Sequence, residues 1–204
     1  MRSKFDYLYV VGDSFAFNGD VPKTDLFASI VAKHYNLELH NFGIGGAGNE
    51  YIFKKVYSDI QRIVEVDQKN PLVMIVWTDF TRKEVYNRKY GHSINITEHN
   101  YFDKDFIRAY MVDHFDENTL RKDSIVYIKA VQTLLKYYRL SRIEMFSLGY
   151  IDTGIDTSRL IGDIGTIFLE DRLPIGNIDK IGHLTTLGNR KTADYIISRL
   201  DEWY

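Results

Sequence analysis

The chain has no cysteine. That absence excludes disulfide bridges, zinc–thiolate sites and a cysteine nucleophile, and it leaves the redox state of the compartment open. An excess of charge of either sign is also missing. The 26 Lys and Arg residues against 28 Asp and Glu give a formal net charge of -2, so neither a nucleic-acid partner nor a polybasic membrane patch is expected. No apolar run is long enough to span a bilayer. The opening MRSKFDYLYVVGDSF begins basic, but its apolar stretch is short and contains Asp6, so it reads as a strand and not a secretory leader. The expected location is cytoplasmic, or virion-associated if the chain is phage-encoded. Internal repeats, low-complexity tracts and linkers are lacking too, and 204 residues fit one domain spanning residues 1–204.

What is present is ordinary globular composition, 45% hydrophobic and 26% charged, with many aromatics, 15 Tyr and 12 Phe, which serve mainly as core. Strand-like and helix-like patches alternate. Phe5 to Val11 is β-rich and ends at Gly12-Asp13-Ser14. Asp25 to Tyr35 has helical spacing, with Leu26, Ile30, Val31 and His34 on one side. Leu37 to Phe42 reads as a strand, Glu50 to Val66 as a helix with Ile52, Val56, Ile60 and Ile63 inward, and Leu72 to Trp77 as a strand buried on both faces. Residues 87–117 read as a polar, aromatic insertion with a short helix near Phe106 to Val112. Asn118 to Leu140 follows as a long amphipathic helix and Arg142 to Leu148 as a fourth strand. Residues 151–182 read as a long glycine-rich loop, and Leu187 to Trp203 as a terminal helix with Ala193, Ile196, Ile197 and Leu200 inward. Strands and helices in alternation, with continuous apolar strands, predict an α/β fold: a parallel sheet with helices on both faces. Ligands of such sheets bind at the carboxyl ends of the strands.

Two stretches there carry candidate chemistry. Gly43-Ile44-Gly45-Gly46-Ala47-Gly48 matches G-x-G-x-x-G between a strand and a helix. As a dinucleotide fingerprint it sits after the second strand where the first is usual, and the acids about 20 residues on, Glu65 and Asp67, fall at a helix end. The other reading is a loop whose glycines bring backbone N–H groups to a developing oxyanion. Near the end of the chain, His183 precedes the terminal helix with Asp179 four residues earlier. A carboxylate on one ring nitrogen of a histidine suits the other to take a serine proton. The remaining histidines, His34, His40, His92, His99 and His114, have no motif around them and no metal-ligand spacing, so no metal and no cofactor is expected.

Three blocks stand in order: Gly12-Asp13-Ser14, Asn41-x-Gly43-x-x-Gly46, and Asp179 with His183. Together they resemble the SGNH hydrolase superfamily, also called GDSL esterases and lipases. The resemblance runs from residue 5 to the end, apart from the insertions. It implies a flavodoxin-like three-layer αβα sandwich with a five-stranded parallel sheet. It also implies a Ser14 nucleophile, His183 as base, Asp179 as its carboxylate, and an oxyanion hole from the N–H of Ser14 and from Gly46. The family's third block is usually Gly-x-Asn-Asp; here Val76-Trp77-Thr78-Asp79 aligns with it, so Thr78 or the nearby Asn49 is the expected third donor. The family aspartate usually lies three residues before the histidine, where this chain has Lys180; without Asp179 the pair would be a Ser14–His183 dyad. The phrase IVWTDFTRKE, with GDSF for GDSL, is similar to viral and phage-encoded members. Asp13, Asp79 and Arg82 are candidates for substrate contact, since a guanidinium fork suits carboxylate or phosphate.

The function implied is cleavage of a carboxylic ester, a carbohydrate O-acetyl group included, through an acyl-enzyme, with a small-molecule or glycan ester as partner. A scaffold of the same fold whose catalytic blocks have drifted, such as a virion component or carbohydrate-binding module in a homo-oligomer or virion assembly, is the alternative of another class. A nucleotide-binding protein is the third.

Overall fold

The structure is a computed structural model that describes residues 4–17, 19–87, 92–96, 116–147, 154–164, 172–175 and 180–204. In chain order the elements are β1 (Tyr7–Gly12), α1 (Ser14–Phe17), a 3₁₀ turn (Lys23–Asp25), α2 (Phe27–His34), β2 (Glu38–Asn41), α3 (Asn49–Glu65), β3 (Leu72–Trp77), β4 (Lys83–Asn87) and β5 (His92–Ile96). Then come α4 (Glu117–Tyr137), β6 (Arg142–Phe146), β7 (Leu160–Asp163), β8 (Arg172–Ile175), β9 (Lys180–Leu184) and α5 (Thr186–Trp203).

Five strands form one sheet in the order β2-β1-β3-β6-β7, every pair parallel. This is the doubly wound order in which the chain reverses direction across the sheet beside β1. The three central strands are buried at every position: β1 and β3 are unbroken apolar runs, and β6 buries Arg142 and Glu144 as a pair, whereas the edge strands β2 and β7 are partly exposed. Side chains alternate between two cores. Leu8, Val10, Met74, Val76, Ile143 and Met145 pack on the α2 and α5 side. Tyr9, Val11, Val73, Ile75 and Trp77 pack on the α3 and α4 side. The result is the α/β sandwich expected from the alternating pattern.

The helices bury the stripes that their spacing predicts, with one shift. In α3, Ile52, Val56, Ile60 and Ile63 face the sheet, each contributing about 1.5–3 kcal/mol relative to an exposed position. In α2 the inward residues are Phe27, Ala28, Val31 and Ala32, and His34, expected on that side, is exposed. Leu26 and Val31 are buried and Ile30 packs against the core as expected, and the helix begins at Phe27 after a 3₁₀ turn at Lys23–Asp25.

The stretch 151–182, expected as loop, supplies the fifth strand. β7 is a four-residue edge strand, half-exposed, with Gly162 at φ 110, and so lacks the apolar run that marks an inner strand. The same stretch begins a hairpin, β8 with β9, and the start of the expected insertion forms part of another, β4 with β5. The helix expected at 106–112 lies outside the described residues. No helix among the described residues is long and apolar enough to cross a membrane.

Candidate active site

β1 delivers Asp13 and Ser14 to the carboxyl edge of the sheet. Ser14 is the first residue of α1 and is half-buried. Asp13 is fully buried. Its Oδ1 accepts from the Phe15 N–H at 2.9 Å, closing the turn. Its Oδ2 accepts from Thr78 Oγ1 at 2.9 Å, Ser147 Oγ at 2.7 Å and Arg82 Nη1 at 2.7 Å. Thr78 follows β3 and Ser147 follows β6, so one carboxylate ties together the ends of three adjacent strands beneath Ser14. A carboxylate with no exposure is tolerable only when its charge is paired and its lone pairs are filled, and Arg82, itself nearly buried, provides that pairing. Asp79 accepts from the Thr81 N–H at 2.7 Å and from the Thr81 hydroxyl, forming a turn that leads the chain on to Arg82. Asp13, Asp79 and Arg82 therefore spend these groups on internal partners.

The glycine loop is bound to the same edge. The Ile44 N–H donates to the Gly12 carbonyl at 3.1 Å, and Asn41 Nδ2 donates to the Ala16 carbonyl at 2.8 Å while its Oδ1 accepts from the Gly43 N–H. The loop then turns, with the Ala47 N–H donating to the Ile44 carbonyl. Gly46 has φ 74, the left-handed value that this kind of turn demands and that glycine adopts without cost. Asn49 opens α3 fully inside the protein. Its Nδ2 donates to the Thr78 carbonyl at 3.0 Å and to Ser124 Oγ at 3.3 Å, and its Oδ1 accepts from the Thr78 N–H at 3.0 Å. Both side-chain donors weighed for the oxyanion hole are thus engaged: the Thr78 hydroxyl on Asp13, and both amide hydrogens of Asn49 on α4 and the end of β3.

Behind Thr78 a second polar cluster fixes the end of β3. Trp77 Nε1 donates to Glu144 Oε2 at 2.7 Å, and Arg142 Nε donates to Glu144 Oε1 at 2.7 Å. Gln132 Nε2 donates to both Glu144 oxygens at 3.1 Å. Burial raises the Glu144 pKa, with the Arg142 and Trp77 hydrogen bonds pulling the other way.

His183 comes to the site on β9. Its Nδ1 meets Asp20 Oδ2 at 2.5 Å, and its ring meets the Phe15 ring edge-on, 5.7 Å between centroids at 84°. Phe15 is the residue after Ser14, so the imidazole is set against the turn that carries the serine. No hydrogen bond joins Ser14 Oγ to His183 among the described residues; catalytic contacts of this kind tighten when substrate binds. Asp179 lies outside the described residues. Asp20 has no signal of this role in the sequence alone. It follows Gly19 and precedes Pro22, a composition that signals a turn, and its only other mark is its place on the same excursion as Ser14.

Among the described residues no group of three or more His, Asp or Glu is placed to hold a metal ion. A cavity of about 390 Å³ lies elsewhere, lined by Tyr7, Tyr9, His40, Phe42, Asp59 and Arg62 among others, and no candidate site residue borders it.

No protein-family model matches the chain, and no curated protein sequence matches it. Solved structures do. The chain is similar to TesA, at 11% identity, covering 97% of this chain and 99% of that one with a TM-score of 0.57. It is similar to the psychrotrophic esterase EstA of Pseudoalteromonas sp., solved inhibited by monoethylphosphonate, at 9% identity, 97% and 98% coverage and a TM-score of 0.56. It is similar to a lipolytic protein of the G-D-S-L family from Desulfitobacterium hafniense DCB-2, at 14% identity, 95% and 98% coverage and a TM-score of 0.51. Over nearly its whole length, then, the chain has the α/β fold of the G-D-S-L lipolytic esterases.

Proposed function

We propose that the protein is a serine hydrolase of carboxylic esters, with Ser14 as nucleophile and His183 as general base. The observation that carries this reading is the placement of His183: a residue from the far end of the sequence rests against Phe15, with its Nδ1 on a carboxylate and its Nε2 left as the nitrogen for the serine proton. The order of the three blocks and the fold shared with G-D-S-L esterases support it.

In the forward step, Ser14 Oγ attacks the ester carbonyl carbon while its proton passes to His183 Nε2. The tetrahedral oxyanion collapses, the C–O bond to the alcohol breaks, and His183 returns the proton to the leaving oxygen. Water, deprotonated by the same nitrogen, then attacks the acyl carbon; the bond to Ser14 Oγ breaks, His183 returns the proton to Oγ, and the acid is freed. The oxyanion donors are the backbone N–H of Ser14, which as the first helical residue has no intrahelical partner, and the N–H of Gly46. Thr78 and Asn49 serve this site by holding the end of β3. The chemistry proposed uses no metal or cofactor.

The reading is tested with short-chain p-nitrophenyl esters and O-acetylated glycans. Ser14→Ala and His183→Ala should each reduce turnover by at least about 10³-fold with the fold intact, the range expected when a catalytic group of such a set is removed. Hydrolysis that persists undiminished in Ser14→Ala would remove the proposal.

A further inference from the structure

We infer that Asp20, on the loop that follows the nucleophile, is the positioning carboxylate of His183; this rests on the ester-hydrolase reading of the same site. The carboxylate that the family resemblance expects, Asp179, shares a loop with the histidine. Asp20 comes from the opposite direction, six residues after Ser14 on the excursion from β1.

The first support is the contact itself, Nδ1 to Oδ2 at 2.5 Å, against which no other carboxylate meets the ring among the described residues. An ionised carboxylate only accepts, so Nδ1 carries the hydrogen and the neutral ring has its lone pair on Nε2. That tautomer is the one a base for Ser14 needs. The second support is Phe15, whose edge-on ring at 84° restricts rotation of the imidazole.

The third support is independent of the pair. Asn189, in α5 and fully buried, joins the two segments that carry Asp20 and His183. Its Oδ1 accepts from the Phe27 N–H at 3.0 Å, where the chain running on from Asp20 enters α2. Its Nδ2 donates to the carbonyls of Leu184 at 3.2 Å and Thr185 at 3.0 Å, immediately after His183. A buried amide thus ties the start of α2, where the nucleophile loop ends, to the end of β9, the two segments whose neighbours Asp20 and His183 meet. The pair is partly exposed, with side-chain accessibility of 25% for His183 and 53% for Asp20. Coulomb attraction at such a site is largely screened, so Asp20 acts mainly by fixing ring orientation and tautomer.

The test combines kinetics on a short-chain p-nitrophenyl ester with proton NMR of the imidazole Nδ1–H, for the wild type, Asp20→Asn, Asp20→Glu, Asp179→Asn and Ser14→Ala. Asp20→Asn should lower kcat on the order of a hundredfold with KM nearly unchanged, less than the roughly 10⁴-fold loss of a fully buried carboxylate partner. Asp20→Glu should restore part of the rate, and Asp179→Asn should retain most of it. The far-downfield Nδ1–H resonance should vanish in Asp20→Asn and persist in Asp179→Asn and Ser14→Ala. A resonance and rate that survive Asp20→Asn and are lost in Asp179→Asn would overturn the assignment. A wild-type protein that hydrolyses no ester would sink the functional reading alone, because the resonance would still report which carboxylate holds His183.

Discussion

Asp13 accepts four hydrogen bonds while wholly excluded from water. Replacing it by asparagine puts an amide hydrogen toward donors and leaves the Arg82 guanidinium without its counter-charge. Asp13→Asn should therefore cost about 3 kcal/mol of stability, read as a lower urea midpoint at unchanged slope. Much of this residue's importance is visible in Gly12-Asp13-Ser14, because the block is local: a strand end, a turn and a hydroxyl stand side by side in the chain. The partners are not visible there. Thr78 and Ser147 lie 65 and 134 residues away, and they meet Asp13 only because β3 and β6 take neighbouring places in the sheet. The Asp20–His183 contact, separated by 163 residues, was illegible for the same reason, and Asp179, four residues from His183, drew attention by proximity in sequence.

Among the elements, the approach of β1 to β3 sets the position of Ser14. A Cβ built on Gly12 would lie 2.6 Å from Val76 Cβ and 2.9 Å from the Val76 carbonyl oxygen, so the two strands meet there without room for a methyl group. Gly12→Ala should push β1 from β3 and cost about 1–3 kcal/mol, the usual range for overpacking. It should also lower ester turnover more than the thermal shift alone accounts for, since the displaced strand carries the nucleophile. Thermal melts together with kcat at a temperature far below the transition separate the two effects. Elements with strong patterns were legible: β1 and β3 by their apolar runs, and α3 by its stripe of Ile52, Val56, Ile60 and Ile63. Short edge elements were not. β7 has four residues with a glycine among them, and the β8–β9 hairpin that carries His183 is of similar length, so neither offers enough positions to show a period.

At the scale of the whole molecule, the ionic cluster of Arg142 and Glu144 on β6 with Asp156 makes stability depend on pH. Hydrogen bonds from Ser158, and then the Arg142 guanidinium, pull the Asp156 pKa down to about 2. A depressed carboxyl contributes stability that is present above its unfolded value, about 3.9, and lost as pH falls through its folded value. Asp156 is nearly half exposed, so its contribution should be less than about 1 kcal/mol. Asp156→Asn should lower Tm slightly at neutral pH and flatten the fall in Tm between about pH 4 and 2. Glu144 has the opposite sign. Burial raises its pKa, so protonation favours the folded state, and this share of stability is lost as pH rises through the folded value. Glu144→Gln should accordingly shift the high-pH side of the Tm profile and leave the acid side to Asp156.

The proposal of a serine esterase depends most directly on whether Ser14 is a reactive nucleophile. Treatment with an alkyl phosphonate ester carrying a good leaving group, followed by peptide mass spectrometry, measures this. The prediction is one phosphonyl adduct, on Ser14, formed in step with loss of ester hydrolysis and greatly slowed in His183→Ala. Full hydrolysis in Ser14→Ala, or an unmodified Ser14 in a protein whose hydrolysis the probe has abolished, would contradict it.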